Sequence, residues 1–141
     1  MLKDDLRNKR ILITGITGFV GKALGNRLKS LGAVVYGISR FVDNDVRNLN
    51  ADILDYLKIN KFIKDSKIDI CFHLASTSSV EEGQLNPYQT FKVNIEGTLN
   101  ILESARNNNL EKVIIASTSH VYGKNKIPHF ESYMPRPTRP Y

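Results

Sequence analysis

The feature that most constrains this chain is a run of three evenly spaced glycines, Thr14-Gly15-Ile16-Thr17-Gly18-Phe19-Val20-Gly21. Before it lies a short apolar, β-branched segment, Arg10–Thr14. After it, Phe19–Leu31 follows helical spacing, with Val20, Leu24, Leu28 and Leu31 on one face and Gly32 as the stop. A strand that turns through glycines straight into a helix has a specific use. Gly15 permits the sharp turn, Gly18 lets backbone approach a pyrophosphate, and Gly21 lets the helix pack against the strand. The free N–H groups and dipole of the new helix favour anionic phosphates. Dinucleotide binding is therefore expected at this loop.

Alternating signals continue downstream. Ala33–Ser39 reads as a second strand, Asp45–Leu49 as a short third, and Asp55–Asp65 as a helix turning Ile59, Phe62 and Ile63 inward. Asp69–Leu74 reads as another strand and Ala75–Asn86 as a polar loop. Asn86 is placed to cap a helix with Pro87 in its first turn. The spacing predicts a buried stripe of Phe91, Ile95, Leu99 and Leu102 on that helix, which ends within Asn107–Asn109. Lys112–Ser117 is the last strand, and beyond Gly123 the chain reads as loop. Strands apolar at nearly every position, separated by helices, indicate a parallel sheet buried on both faces. The expected architecture is a doubly wound α/β sheet of about five strands with helices on both faces, in one domain over residues 1–141.

Composition narrows the function. Of 141 residues, 41% are apolar and 24% charged, as in a globular protein. No apolar run is long enough for a membrane span, and the polar start MLKDDLRNKR has no apolar core of a leader, so a cytoplasmic location is expected. The net charge of +6 suits a phosphate-bearing ligand. Its basic residues are spread rather than blocked, which argues against nucleic acid. A single cysteine, Cys71, sits in an apolar run and reads as a buried inert thiol; an intramolecular disulfide and a multi-cysteine metal site are ruled out, and no metal is expected.

The loop TGITGFVG resembles the TGxxGFxG fingerprint of the extended short-chain dehydrogenases, which include nucleotide-sugar epimerases and 4,6-dehydratases. Four further segments are similar to that family in the same order: Ala51-Asp52-Ile53, His73-Leu74-Ala75-Ser76, Asn94 within KVNIEGTLNILESAR, and Ser117-Thr118-Ser119-His120-Val121-Tyr122-Gly123. The resemblance implies a Rossmann fold and a bound NAD or NADP. It also implies cofactor contacts from Gly15, Thr17, Gly18, Phe19, Val20, Gly21, Asp52, Ile53, Leu74, Ala75, Ser76 and Asn94. In that family a Tyr-x-x-x-Lys pair moves the proton while a Ser or Thr hydroxyl holds the substrate oxygen. The resemblance places Thr118 in the hydroxyl role and Tyr141, after Pro137-Thr138-Arg139-Pro140, in the tyrosine role; Tyr122 follows the strand too closely for it.

Tyr141 is the last residue of the sequence. The resemblance therefore implies the first part of a longer enzyme, without the lysine and the substrate-binding portion, and the 141-residue chain is expected to show no useful turnover. A sixth strand beside Lys112–Ser117 would also be missing, so self-association through Val113–Ala116 into a homo-oligomer is a further expectation. Three functions stay open: an epimerase oxidising a sugar hydroxyl transiently, a 4,6-dehydratase or keto-sugar reductase of the same family, and a non-catalytic dinucleotide-binding module. His120 stands where the dehydratases carry an acid, which weakens the dehydratase reading. Members that prefer NAD carry Asp or Glu after the second strand for the ribose 2′-hydroxyl. Here Ser39-Arg40 stand there, with Asp43 later, and a hydroxyl beside a guanidinium suits a 2′-phosphate, so NADP is favoured over NAD. His73 reads as a packed, hydrogen-bonded residue, and His129 has no spacing partner for a metal.

Overall fold

The computed structural model describes residues 6–42, 45–123 and 128–140. Five strands, β1 (Arg10–Thr14), β2 (Val34–Ser39), β3 (Asn48–Asn50), β4 (Ile70–His73) and β5 (Lys112–Ile115), form one sheet in the order β3-β2-β1-β4-β5, with every pair parallel. The chain order reverses direction between β1 and β4, the point outside which such sheets bind ligands at the strands' carboxyl ends. This is the doubly wound parallel sheet expected from the sequence.

Alternation along β1 divides the core in two. Leu12 points to one face, where Ile38, Ile59, Ile63, Cys71 and Ile101 close around it beneath α2 (Tyr56–Ser66) and α5 (Gly97–Asn107). Ile11 and Ile13 point to the other, meeting Leu28, Ala33 and Val35 beneath α1 (Phe19–Ser30). Helices thus cover both faces. Asp55 caps α2, its side chain accepting the Lys58 N–H, and Lys67 closes the helix in the left-handed region.

Several expectations need correction. Val20 does not join the buried face of α1; it is exposed, and Gly21, Gly25 and Leu28 are buried instead. The segment read as a loop from Ala75 to Asn86 contains a short helix, α3 (Val80–Leu85). Ser79 caps it by accepting the Glu82 N–H, and the Ser-x-x-Glu spacing was its available signal. Asn86 caps nothing with its side chain before α4 (Pro87–Phe91); its amide donates to Glu82 instead. The stripe Phe91, Ile95, Leu99 and Leu102 is exposed, at 48%, 55%, 58% and 40% of full accessibility. The residues turned inward there are small or short: Thr90, Gly97, Ser104 and Ala105, with Ile101. A Cβ on Gly97 would lie 2.6 Å from Ile53 Cγ2, so α5 approaches the turn after β3 more closely than a larger side chain would allow. Between α4 and α5 the helix widens into a π turn, Lys92–Glu96.

Candidate functional site

The glycine turn is built from backbone. Gly15 has φ +72, in the left-handed region, and its N–H donates to Ile38 O at 2.8 Å. A Cβ there would also press on Ala75 N at 3.1 Å. Gly18 donates its N–H to Gly15 O and starts α1 with no side-chain cap and no acid in the first turn. A Cβ on Gly21 would fall 2.2 Å from Gly15 O, well inside contact, so only glycine lets the helix begin this close to the turn. The first N–H groups of α1 are left for an anion.

Beside this turn, at the carboxyl ends of β1, β2 and β4, lies a cleft of about 150 Å³. Gly15, Ser39, Arg40, Asp52, Ile53, Ala75 and Ser76 all line it, together with Thr77 and Val93. Seven residues chosen from separate sequence motifs are therefore brought to one cavity. Thr17 reaches its rim through a 2.7 Å hydrogen bond with the Ser39 hydroxyl. The Asp52 carboxylate accepts the Leu54 N–H, and Ile53 O accepts the Asn100 side-chain amide, which fixes this wall. Phe19 and Val20 stand exposed on the first turn of α1. Asp43 lies outside the described residues.

A second, larger cleft of about 380 Å³ continues past Ala75 and Ser76, which line both. Leu74, Asn94, Ile115, Thr118 and Pro140 are on its walls. Thr118 Oγ1 accepts the His120 N–H at 3.2 Å, capping the 3₁₀ turn Ser119–Tyr122 and keeping its own hydrogen available to donate. Tyr141 lies outside the described residues; its neighbour Pro140 lines the cleft that holds Thr118. Asn94, within the π turn, spends its amide on the backbone of Thr77: Oδ1 accepts Thr77 N–H at 2.8 Å and Nδ2 donates to Thr77 O at 3.1 Å. It clamps the loop that floors both clefts. Sites of π widening often carry function, because the turn redirects side chains.

Beneath that loop runs a buried hydrogen-bond chain whose directions can be worked out. Thr14 Oγ1 accepts the N–H groups of Leu74 and Ala75, both at 3.1 Å. Its own O–H is then the donor to His73 Nδ1 at 2.7 Å. At the far end, Thr98 O–H donates to Asn94 O at 2.6 Å, since a carbonyl can only accept. Thr98 Oγ1 therefore receives the Nε2–H of His73 at 3.1 Å. Both neighbours require the neutral Nε2–H tautomer, and burial pushes the imidazole down to about 4. His73 is thus a packed, hydrogen-bonded residue, as expected for it in this strand. Sequence reading singled out neither Thr14 as an acceptor nor Thr98 as the far end of the chain, and no spacing marked Thr98. Burial pushes the Cys71 thiol up to about 12, so it is inert. Among the described residues, no group of three His, Cys, Asp or Glu side chains could hold a metal, and no helix is long and apolar enough to cross a membrane.

The glycine turn, the paired clefts and the parallel sheet agree with a comparison of the sequence against known families. The model of the NAD dependent epimerase/dehydratase family matches residues 11–141. The chain belongs to that family. Among curated relatives of this family member, UDP-glucuronic acid decarboxylase 1 of Xenopus tropicalis is 36% identical, covering 89% of the chain and 31% of the relative. An uncharacterized protein of Methanocaldococcus jannaschii is 35% identical, covering 89% of the chain and 45% of its own length. In structure, the UDP-glucose 4-epimerase of Thermus thermophilus, solved in complex with NAD, superposes with a TM-score of 0.87 at 29% identity, covering 94% of the chain and 46% of the enzyme. The chain thus spans less than half the length of these relatives.

Proposed function

We propose that residues 1–141 form the cofactor-binding domain of a nucleotide-sugar epimerase. The observation that carries this reading is the glycine turn, where backbone contact at Gly15 and Gly21 leaves an uncapped helix start facing a cleft lined from four separate motifs. In this reading the pyrophosphate of NAD or NADP lies against Gly15 and Gly18, with Thr17, Phe19, Val20 and Gly21 around it. The adenosine half lies against Ser39, Arg40, Asp52 and Ile53. The remainder passes Leu74, Ala75 and Ser76, over the loop that Asn94 holds. When bound at these residues, NAD or NADP would supply the hydride acceptor and donor that a transient oxidation of the sugar needs. Thr118 donates its hydroxyl hydrogen to the sugar oxygen, and Tyr141 takes the proton of the sugar hydroxyl.

Relatives that act on UDP-sugars or were solved with NAD support the substrate and cofactor classes. For the choice between NAD and NADP, Arg40 and the Thr17–Ser39 hydroxyl pair at the cleft favour a 2′-phosphate. The test is a titration of the 141-residue chain with NADH and NADPH, followed by nicotinamide fluorescence, in the native protein and in R40D. Saturable binding is expected for both, with NADPH tighter and R40D reversing the order by about tenfold. Absence of saturable binding of either would refute the domain's assignment; equal affinities unchanged in R40D would refute the NADP preference alone.

A further inference from the structure

The buried hydrogen-bond chain and the Asn94 clamp begin and end on one short segment. At one end the N–H groups of Leu74 and Ala75 donate to Thr14 Oγ1. From there the Thr14 hydroxyl donates to His73 Nδ1, His73 Nε2–H to Thr98 Oγ1, and the Thr98 hydroxyl to Asn94 O. The Asn94 side chain then returns to Thr77, donating to its carbonyl and accepting its N–H. From Ala75 N–H to Thr77 O each link donates to the next, so a ring or side chain that rotates away breaks its bonds on both sides. Thr14 and His73 are buried, and water does not replace a bond lost there.

Thr98 holds the far arc of this circuit. Its hydroxyl bonds four residues back, to Asn94 O at 2.6 Å, a contact that slightly bends a helix. Here it falls where the π turn Lys92–Glu96 joins α5, and it fixes the backbone from which the Asn94 amide reaches Thr77. The segment held in this way is the junction of the two clefts, since Ala75 and Ser76 line both. Ala75 N–H is committed to Thr14, and the N–H and C=O of Thr77 are committed to Asn94. Ser76 is therefore fixed between two anchored neighbours.

We infer that Thr98, acting through His73 on one side and Asn94 on the other, is a positioning residue for the nicotinamide half of the dinucleotide, holding the Ala75–Thr77 bend in the form that half meets. This rests on the cofactor reading above and deepens it, because neither Thr98 nor His73 is among the residues expected to touch the cofactor. The adenosine half is met by other residues, Ser39, Arg40, Asp52 and Ile53, so loss of the Thr98 hydroxyl acts on one half of the ligand and spares the other.

The experiment uses the ¹⁵N-labelled 141-residue chain and two ligands, NADH and ADP, the second carrying the adenosine and diphosphate alone. Each is titrated into the native protein, T98V and T98S, and the Asn94 side-chain amide resonances are recorded throughout. T98V keeps the shape of threonine without its hydroxyl; it is expected to weaken NADH about tenfold and ADP by less than about twofold. The two Asn94 amide proton resonances should also draw together as the bond to Thr77 O loosens. T98S restores the hydroxyl and is expected to return affinity and resonances close to native. T98A removes the same hydroxyl and takes the place of the valine if that variant does not fold. The inference is overturned if the variant without the hydroxyl binds NADH as the native protein does, if it weakens NADH and ADP alike, or if T98S behaves as T98V does. A native protein that binds no NADH would instead bring down the cofactor reading beneath it.

Discussion

Protonation of His73 should control how stability depends on acidity. The imidazole is buried, accepts from Thr14 and donates to Thr98, and this arrangement has no place for a second ring proton. Its affinity for a proton falls from the ordinary 6.5 to about 4 in the folded protein, because burial disfavours the cation. The sign follows directly. Between these two values the unfolded chain binds the proton and the folded chain does not, so stability is lost as pH falls through that window. With those two constants, the linkage relation gives a loss of about 2 kcal/mol between about pH 7 and pH 5. For a chain of this size, with a urea slope of about 1.5–2 kcal/mol/M, the unfolding midpoint should drop by roughly 1 M. Urea melts followed by far-UV circular dichroism at several pH values would measure it. In H73Q, whose amide can also accept and donate, the absolute stability should change but the drop between those pH values should vanish. Asp45, Asp55 and Glu103, all held below the carboxylate range by hydrogen bonds (from Arg47, Lys58 and Arg106), contribute at lower pH and remain in both proteins. A drop of the same size in H73Q would refute the assignment, as would a native protein with a flat midpoint over this range.

Two further substitutions probe the site itself. G21A drives a methyl into backbone at Gly15, which cannot rotate away, and should cost about 3 kcal/mol and abolish NADH binding; G25A meets side-chain ends alone, the nearest being Ile16 Cδ1 at 3.0 Å, and, with alanine's helix preference of about 1 kcal/mol, should be neutral or better. Urea melts and fluorescence titration of the pair would check both. N94A removes both bonds to Thr77 and should lower stability by about 1–2 kcal/mol and weaken NADH several-fold, measured by the same two methods.

How much of this was legible in the sequence depends on what carried each signal. The strands could be read because parallel strands buried on both faces are continuous apolar runs, and Ile11, Leu12 and Ile13 in β1 are all fully buried. The cofactor cleft was legible because glycines mark close approach of backbone, and backbone is what approaches there. The buried face of α5 was not. Its inward residues, Gly97, Ser104 and Ala105, are small, and smallness lets a helix lie close without raising hydrophobicity. The widened turn at Lys92–Glu96 also breaks the 3.6-residue rhythm, so a stripe extrapolated from Phe91 through Leu102 tracks the wrong side. The hydrogen-bond chain from Thr14 to Asn94 joins residues 59 and 25 positions apart; the sheet register sets Thr14 beside His73, and the packing of α5 on β4 brings Thr98 to its other ring nitrogen.

The pyrophosphate cradle proposed at Gly15 and Gly18 is made of peptide groups, and peptide N–H groups neither gain nor lose charge across the biological pH range. The His73 chain beneath it is held to one neutral form. Acidification would thus strain the stability of this domain well before it altered the electrical character of the surface that meets the phosphates, and substitutions can alter the two responses independently.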